Sequence, residues 1–302
     1  MNKFERLKTV IAGRKPDRIP AAVWFHFGGG FLSPEDQARY YLKVVVPQDW
    51  DFLKVMFEYR PRIDLELDLS SPSDLLKLLN STDWEEPFRL QRECLKILAA
   101  ELEGRLPILE SGYSPWFSLF RWIGRDLEQT FLVNRNVVSQ ILDRLTKLTC
   151  EHVQALKKMN ISGYFYATIA ASRELSPQNI EHQTDHDRQI LEAGQGLLRV
   201  LHLHGNAVEL ERVSGYAFEV LNYSDQHPSN PSLAQARQHL KKCLMGGICE
   251  QTLTKLSVSE LKRQIKHEIQ QSGDSGLIIS PGCAISPSVS ASQCSAILQA
   301  CK

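Results

Sequence analysis

Two histidines and a cysteine are spaced so that they could share a metal ion. His202-Leu203-His204 closes an apolar run, Leu197–Leu201, and Gly205-Asn206 ends it. Residues two apart on a strand point to the same side, so the two imidazoles project together from the strand's C-terminal end. Leu277-Ile278-Ile279-Ser280 reads as a second buried strand, with Cys283 just beyond it. Two imidazoles and a thiolate are an open ligand set for catalytic zinc, which keeps a fourth position free for water or substrate. The plainer reading of the same residues is two packed, hydrogen-bonded histidines and an inert loop cysteine.

Other residues with chemistry to offer fall near strand ends. Glu58 could act as a general acid or base or sit beside a metal; it could equally be a solvated charge. His26, at the end of the first apolar run, is expected to contact substrate or to be a satisfied core histidine. Tyr164 and Tyr166 alternate on one strand, and Tyr166 is taken as a substrate contact, as is Asn222. Asp51 and Lys54 read as a buried ion pair or as floor contacts, and Thr184-Asp185-His186-Asp187 as a helix cap. Asp225 and His227 are expected on a loop at the functional face. Gly28-Gly29-Gly30 permits close backbone approach or a mobile lid, but lacks the spaced glycines of a dinucleotide site.

These residues need a scaffold that brings strand ends together. Eight strand-like runs recur: Ile19–Phe27, Asp51–Glu58, Leu106–Ser111, Gly163–Thr168, Leu197–His204, Phe218–Asn222, Leu244–Gly247 and Gly276–Ser280. Helical spacing separates them, for example over Leu90–Leu102, Val137–Met159, Leu233–Lys241 and Val258–Gln271. No linker or repeat divides the chain. Strands alternating with helices over residues 1–302 predict a single-domain (β/α)8 TIM barrel, with chemistry at the C-terminal ends of the strands. A doubly wound open sheet is the rival.

Bulk properties narrow the function. The 302 residues are 43% hydrophobic, enough to bury a full core, and the 35 basic residues cancel the 35 acidic ones. A nucleic-acid or polybasic membrane role has no electrostatic footprint, and no stretch reads as a signal peptide or membrane span. Seven scattered cysteines, an odd count, fit a reducing cytoplasm better than a disulfide framework.

Several segments in order resemble the uroporphyrinogen decarboxylase superfamily. Arg18-Ile19-Pro20-Ala21-Ala22-Val23-Trp24 is similar to its first strand, and Ser114-Pro115-Trp116 to its Pro-Trp turn. Leu221-Asn222-Tyr223-Ser224 stands where decarboxylases carry Leu-Asp-Trp-Thr, and Met245-Gly246-Gly247 resembles their Gln-Gly-Asn turn. Ser280-Pro281-Gly282-Cys283 falls where they have Leu-Gly-His-Gly. The resemblance implies a (β/α)8 barrel. It also sorts the chain between two chemistries. Decarboxylases carry an Arg-rich motif after the first strand that grips a substrate with eight carboxylates; here Phe25–Phe31 holds no Arg, and Phe cannot replace a guanidinium. Glu58 matches their strand-two carboxylate. The zinc-dependent branch moves a methyl group between a corrinoid and a thiol such as coenzyme M, with His-x-Cys and a late Cys as ligands. His202, His204 and Cys283 match those positions, one thiolate having become imidazole. The resemblance thus implies Zn2+, a small-molecule thiol and a corrinoid, as the donor or as a group bound to a partner protein. The alternatives are a metal-free decarboxylase of porphyrin metabolism and a non-catalytic tetrapyrrole- or corrinoid-binding barrel.

Overall fold

Short runs rich in Leu, Ile, Val and Phe, buried at nearly every position, form one parallel sheet in a computed structural model. It describes residues 1–64, 66–68, 70–123, 127–173 and 177–302. Such strands are buried on both faces; the helices between them cover one, and inward-facing side chains fill the other. The order is α1 (Lys3–Ile11), α2 (Pro34–Tyr40), β1 (Leu53–Val55), α3 (Pro72–Ser81), α4 (Glu86–Leu102) and β2 (Ile108–Tyr113). Next come α5 (Pro115–Ile123), α6 (Leu127–Val133), α7 (Arg135–Lys158), β3 (Gly163–Thr168), α8 (Pro177–Ala193) and β4 (Leu198–Leu203). The chain ends with β5 (Val220–Tyr223), α9 (Leu233–His239), β6 (Cys243–Ile248), α10 (Val258–Ser272), β7 (Leu277–Pro281) and α11 (Ala291–Ala300).

The strands pair strictly in sequence order, β1 through β7. Their register sets side chains from neighbouring strands level: Ala167 opposite His202, His202 opposite Asn222, and Asn222 opposite Met245. Helix starts are fixed locally, with reciprocal Ser–Gln or Ser–Glu boxes opening α9, α10 and α11. Thr184–Asp187, expected as a cap, lies inside α8 instead.

The first expected strand, Ile19–Phe27, is the one that does not form a regular ladder, so the sheet has seven strands among the described residues. Pro20 has no N–H, and the Ala21 N–H goes to the Asp51 carboxylate at 2.8 Å instead of to a backbone carbonyl. The segment still reaches both sheet edges. Ala22 N donates to Ile279 O at 3.2 Å and Ile279 N to Pro20 O at 2.9 Å, while Asp51 N donates to Ala21 O at 3.0 Å. Asp51 does not pair with Lys54, as the sequence led us to expect; it takes Arg6 and Arg18, each at 2.7 Å.

Most of the buried apolar side chains join one core cluster. A second lies beneath α3 and α5–α7, around Trp84, Trp116 and Phe131. It anchors α5, the helix that roofs the site described next.

Candidate functional site

His202 is the inward-facing residue near the end of β4, and His204 follows the strand on the same side, its N–H continuing the ladder to Thr168 O at 2.8 Å. Cys283 reaches them from beyond β7. Gly282 makes that approach possible, because a Cβ there would stand 2.4 Å from Ser224 Cα and 2.7 Å from Tyr223 O. Cys283 Sγ lies 3.8 Å from His204 Nδ1, and one ligand atom from each of His202, His204 and Cys283 falls within 4.8 Å of the others. On tetrahedral zinc, bonds of about 2.0–2.3 Å put such atoms about 3.3–3.6 Å apart. Small rotamer shifts would close that difference.

The donor atoms are prepared for a metal. Asn222 gives its amide N–H groups to Met245 O at 2.9 Å and Pro281 O at 3.1 Å, so its Oδ1 must accept from His202 Nδ1 at 2.7 Å. His202 therefore carries its proton on Nδ1 and presents bare Nε2. Burial, then His204 and Lys54, hold its pKa well below the ordinary value. Burial, then Arg121 and His26, pull His204 down to about 4. Both rings are neutral at pH 7, as ligation requires. Burial raises the Cys283 thiol, with the Ala284 N–H and Lys54 working against it. Phe117 stacks on His204 with centroids 4.7 Å apart. The residues present fit zinc.

A cavity of about 230 Å³ lies in front of the triad. Lys54 projects into it from β1, its Nζ 4.0 Å from the Phe165 ring and 4.7 Å from Trp24. Burial pushes this ammonium down to about 7, against the pull of Cys283, Glu110 and Glu58. Arg121, on α5, lies over Tyr113 at 3.9 Å and lines the same cavity. That helix is aimed by Ser114, whose Oγ accepts from Phe117 N at 3.0 Å, with Pro115 following it. A second cavity of about 580 Å³ adjoins the first and shares His204, Cys283, Phe120 and Ala284 with it.

The other expected site residues are placed less directly. His26 lines the inner cavity, and its Nδ1 is 3.0 Å from Glu58 Oε1. Glu58 also accepts from Phe27 N at 3.4 Å and stands behind His26 rather than in the cavity wall. Asn222 touches His202 rather than the cavity. Tyr166 corrects our expectation: it faces the helices, donating to Asp187 Oδ1 at 2.5 Å. Tyr164, two residues away, shares that face, and Phe165 and Ala167 line the cavity instead. Asp225 is buried against Gly247 N at 3.1 Å, and His227 bonds Ser229 at the surface. Arg121, Phe117 and Glu250 were given no role from the sequence, and Lys54 was read as a floor contact or ion-pair partner rather than as part of a cavity wall. The one available signal was Lys54, a lone charge in the run Phe52–Phe57.

The family model for uroporphyrinogen decarboxylase (URO-D) matches residues 33–302. The chain belongs to this family. No curated protein matches the URO-D chain. Its fold is similar to that of a methyltransferase from Methanosarcina mazei, at 16% identity and a TM-score of 0.77, covering 99% of this chain and 98% of that one. GH5_18 from Streptomyces cattleya, in complex with GlcNAc, is similar at 9% identity and a TM-score of 0.53, over 94% of this chain and 80% of the other. A B12-independent methionine synthase from Shewanella sp. W3-18-1, in complex with selenomethionine, matches at 13% identity and a TM-score of 0.50, over 68% and 65%. At these identities the likeness is one of fold. No helix among the described residues of this URO-D member is long and apolar enough to cross a membrane.

Proposed function

We propose that this URO-D member is a closed (β/α)8 barrel folded as one domain, and that it transfers a methyl group from a corrinoid or another methyl donor to a small thiol, with zinc as its metal. The observation that carries this reading is the convergence of His202, His204 and Cys283, with their ligand atoms within 4.8 Å. The bonds from residues 20–22 to both sheet edges support closure. The methyltransferase of like fold supports the reaction class. Free thiols at all seven cysteines support a reducing, cytoplasmic setting.

Zinc held by His202, His204 and Cys283 would supply acidity, so that a thiol of ordinary pKa near 8.5 is present as thiolate at neutral pH. The chain does the rest. Asn222 fixes the His202 ring and tautomer, and Phe117 fixes the plane of His204. Lys54 and Arg121 offer positive charge to an acidic group on the acceptor. Trp24, Phe165 and Phe120 keep water from the thiolate, which strengthens its charge interactions. His26 would contact the acceptor at the mouth, and Glu58, bonded to it, would orient that ring or take a proton. A corrinoid protein, if it is the donor's carrier, would dock over the barrel mouth.

The metal-free decarboxylase reading would place Glu58 as proton donor and uroporphyrinogen as substrate. Neither cavity favours it, since Lys54 and Arg121 are too few cations for a macrocycle with eight carboxylates. The binding-barrel reading predicts corrinoid binding without turnover. The deciding experiment is metal analysis with X-ray absorption on zinc-reconstituted protein. One sulfur at roughly 2.3 Å with nitrogen ligands at roughly 2.0–2.1 Å is the expected fit. Cys283→Ser should stay folded and lose most of the zinc, because a neutral hydroxyl is a far poorer donor than thiolate. No bound metal, only oxygen ligands, or undiminished affinity in the serine variant would overturn the proposal.

A further inference from the structure

Lys54 is buried in the wall of the inner cavity without the company an ammonium normally keeps. Its Nζ donates to Met56 Sδ at 3.2 Å, and a thioether is a weak acceptor. The Trp24 and Phe165 ring faces beside it attract a cation, but they do not replace the hydrogen bonds lost with water. No carboxylate stands among the described lining residues of this cavity. Glu58 lies behind His26, and Glu110 is turned to α7, its Oε1 3.3 Å from His152 Nε2. Both act on Lys54 only through their charge, and burial outweighs them, with Arg121 adding to it, so that the ammonium is held down to about 7. At neutral pH Lys54 is therefore divided between ammonium and free amine, whereas Arg121 in the same wall stays a cation. A desolvated lysine amine beside another cation is a nucleophile toward carbonyl carbon. The same wall limits the carbonyl compound. About 230 Å³ admits only a small molecule, and the Arg121 guanidinium offers the forked donors that fit a carboxylate.

We propose that the inner cavity captures a small 2-oxo acid as an imine on Lys54, with Arg121 gripping its carboxylate. This activity goes beyond the methyl-transfer reading and does not rest on it. The Nζ lone pair attacks the carbonyl carbon, a carbon–nitrogen bond forms, and the carbonyl π pair moves to oxygen. That oxygen takes one proton from the nitrogen. The resulting hydroxyl leaves with the second amine proton as water, and a carbon–nitrogen double bond remains. The step needs no oxidant, reductant or metal. Trp24, Phe165 and Phe120 line the cavity and restrict the water that would hydrolyse the imine. When the imine is protonated, its charge sits where the ammonium did, beside the same two rings.

The test is reductive trapping of the purified full chain at pH 7 with pyruvate as the probe and cyanoborohydride as the reductant, followed by peptide mass mapping. Hydride reaches the imine carbon and water supplies a proton to nitrogen, which fixes one reduced pyruvate on the lysine. Labelling of Lys54 should saturate with pyruvate. Lysines in water hold their protons up to about pH 10.4 and should be labelled far more slowly. Lys54→Arg and Lys54→Met, checked for folding by thermal melts, should both lose the saturable label. Arg121→Gln should raise the half-saturating pyruvate concentration at least about tenfold, in line with the loss of a charge-assisted contact, and leave labelling by acetaldehyde unchanged. Labelling spread over surface lysines with Lys54 spared, or a Lys54 label that does not saturate, overturns the proposal. So does a pyruvate dependence that Arg121→Gln leaves unchanged, which would remove the acid from the assignment. The trapping needs no metal. Zinc-loaded protein that methylates a thiol yet leaves Lys54 unlabelled would refute the imine alone, and a Lys54 label in a chain that takes no zinc would refute the zinc reading alone.

Discussion

Asn222 Oδ1 stands 2.7 Å from His202 Nδ1, and the two residues are level partners on adjacent strands. The sheet register therefore dictates which imidazole nitrogen is free. A partner on the far nitrogen orients a metal-binding histidine and raises its basicity.

Asn222→Ala should lower zinc affinity about 10–100-fold, the usual loss when such a partner is removed. It should also cost about 1–3 kcal/mol of stability, because Met245 O and Pro281 O lose their buried donor. A competition titration against a chromophoric chelator, run beside urea unfolding, reads both. Unchanged zinc affinity in a folded variant would detach Asn222 from the metal.

Gly282→Ala should move Cys283. The new Cβ would lie 2.4 Å from Ser224 Cα, a backbone atom that cannot swing aside. The loop after β7 must back away from β5, costing about 1–3 kcal/mol and drawing the thiolate off the histidines. The expected signature is a lower melting temperature together with weaker zinc binding. A variant with the parent's melting temperature and affinity would show the loop to be more pliant than this packing implies.

A third expectation concerns pH. Burial pushes the Asp225 carboxyl up to about 7, Glu268 adding to it and the Gln226 and Gly247 N–H groups opposing. In the unfolded chain a carboxyl titrates near about 3.9. A pKa raised on folding favours the folded state when the group is protonated, so this contribution is full below about pH 4 and is lost as pH rises to about 7. Asp225→Asn removes the loss. Melts at pH 5 and pH 8 should show the variant gaining on the parent as pH rises; the same gap at both values would count against the argument.

The histidine pair and the late cysteine were legible in the sequence because period two along a strand is a local rule, and a buried run marks the strand. Strands β2 to β7 carry that mark for the same reason. The rest depended on facts the chain order hides. Ile19–Phe27 has a strand's composition, but Pro20 lacks a donor and Asp51 captures the next one, so the pattern promised a ladder that backbone chemistry withheld. Tyr166 was assigned to the wrong side because which parity faces inward is decided by neighbouring elements; once Phe165 faces the cavity, both tyrosines must face α8. Arg121 and Glu250 lie on a helix and a loop with nothing unusual around them. Only the folded arrangement brings one to each side of Cys283.

The joint between residues 20–22 and β7 also has a bearing on how the molecule is made. Residues 20–22 leave the ribosome long before Ile279, which both accepts from Ala22 and donates to Pro20. Until β7 is made, residues 20–22 have only the β1 side to rest on, through the bond from Asp51 N to Ala21 O. Charged side chains are the other part that can act sooner: Arg6 and Arg18 meet Asp51 within the first fifty-one residues. That ion cluster can keep this segment in position beside β1 until β7 arrives. Its value is then one of timing, larger than the modest net stability expected of a buried charge group once the chain is complete.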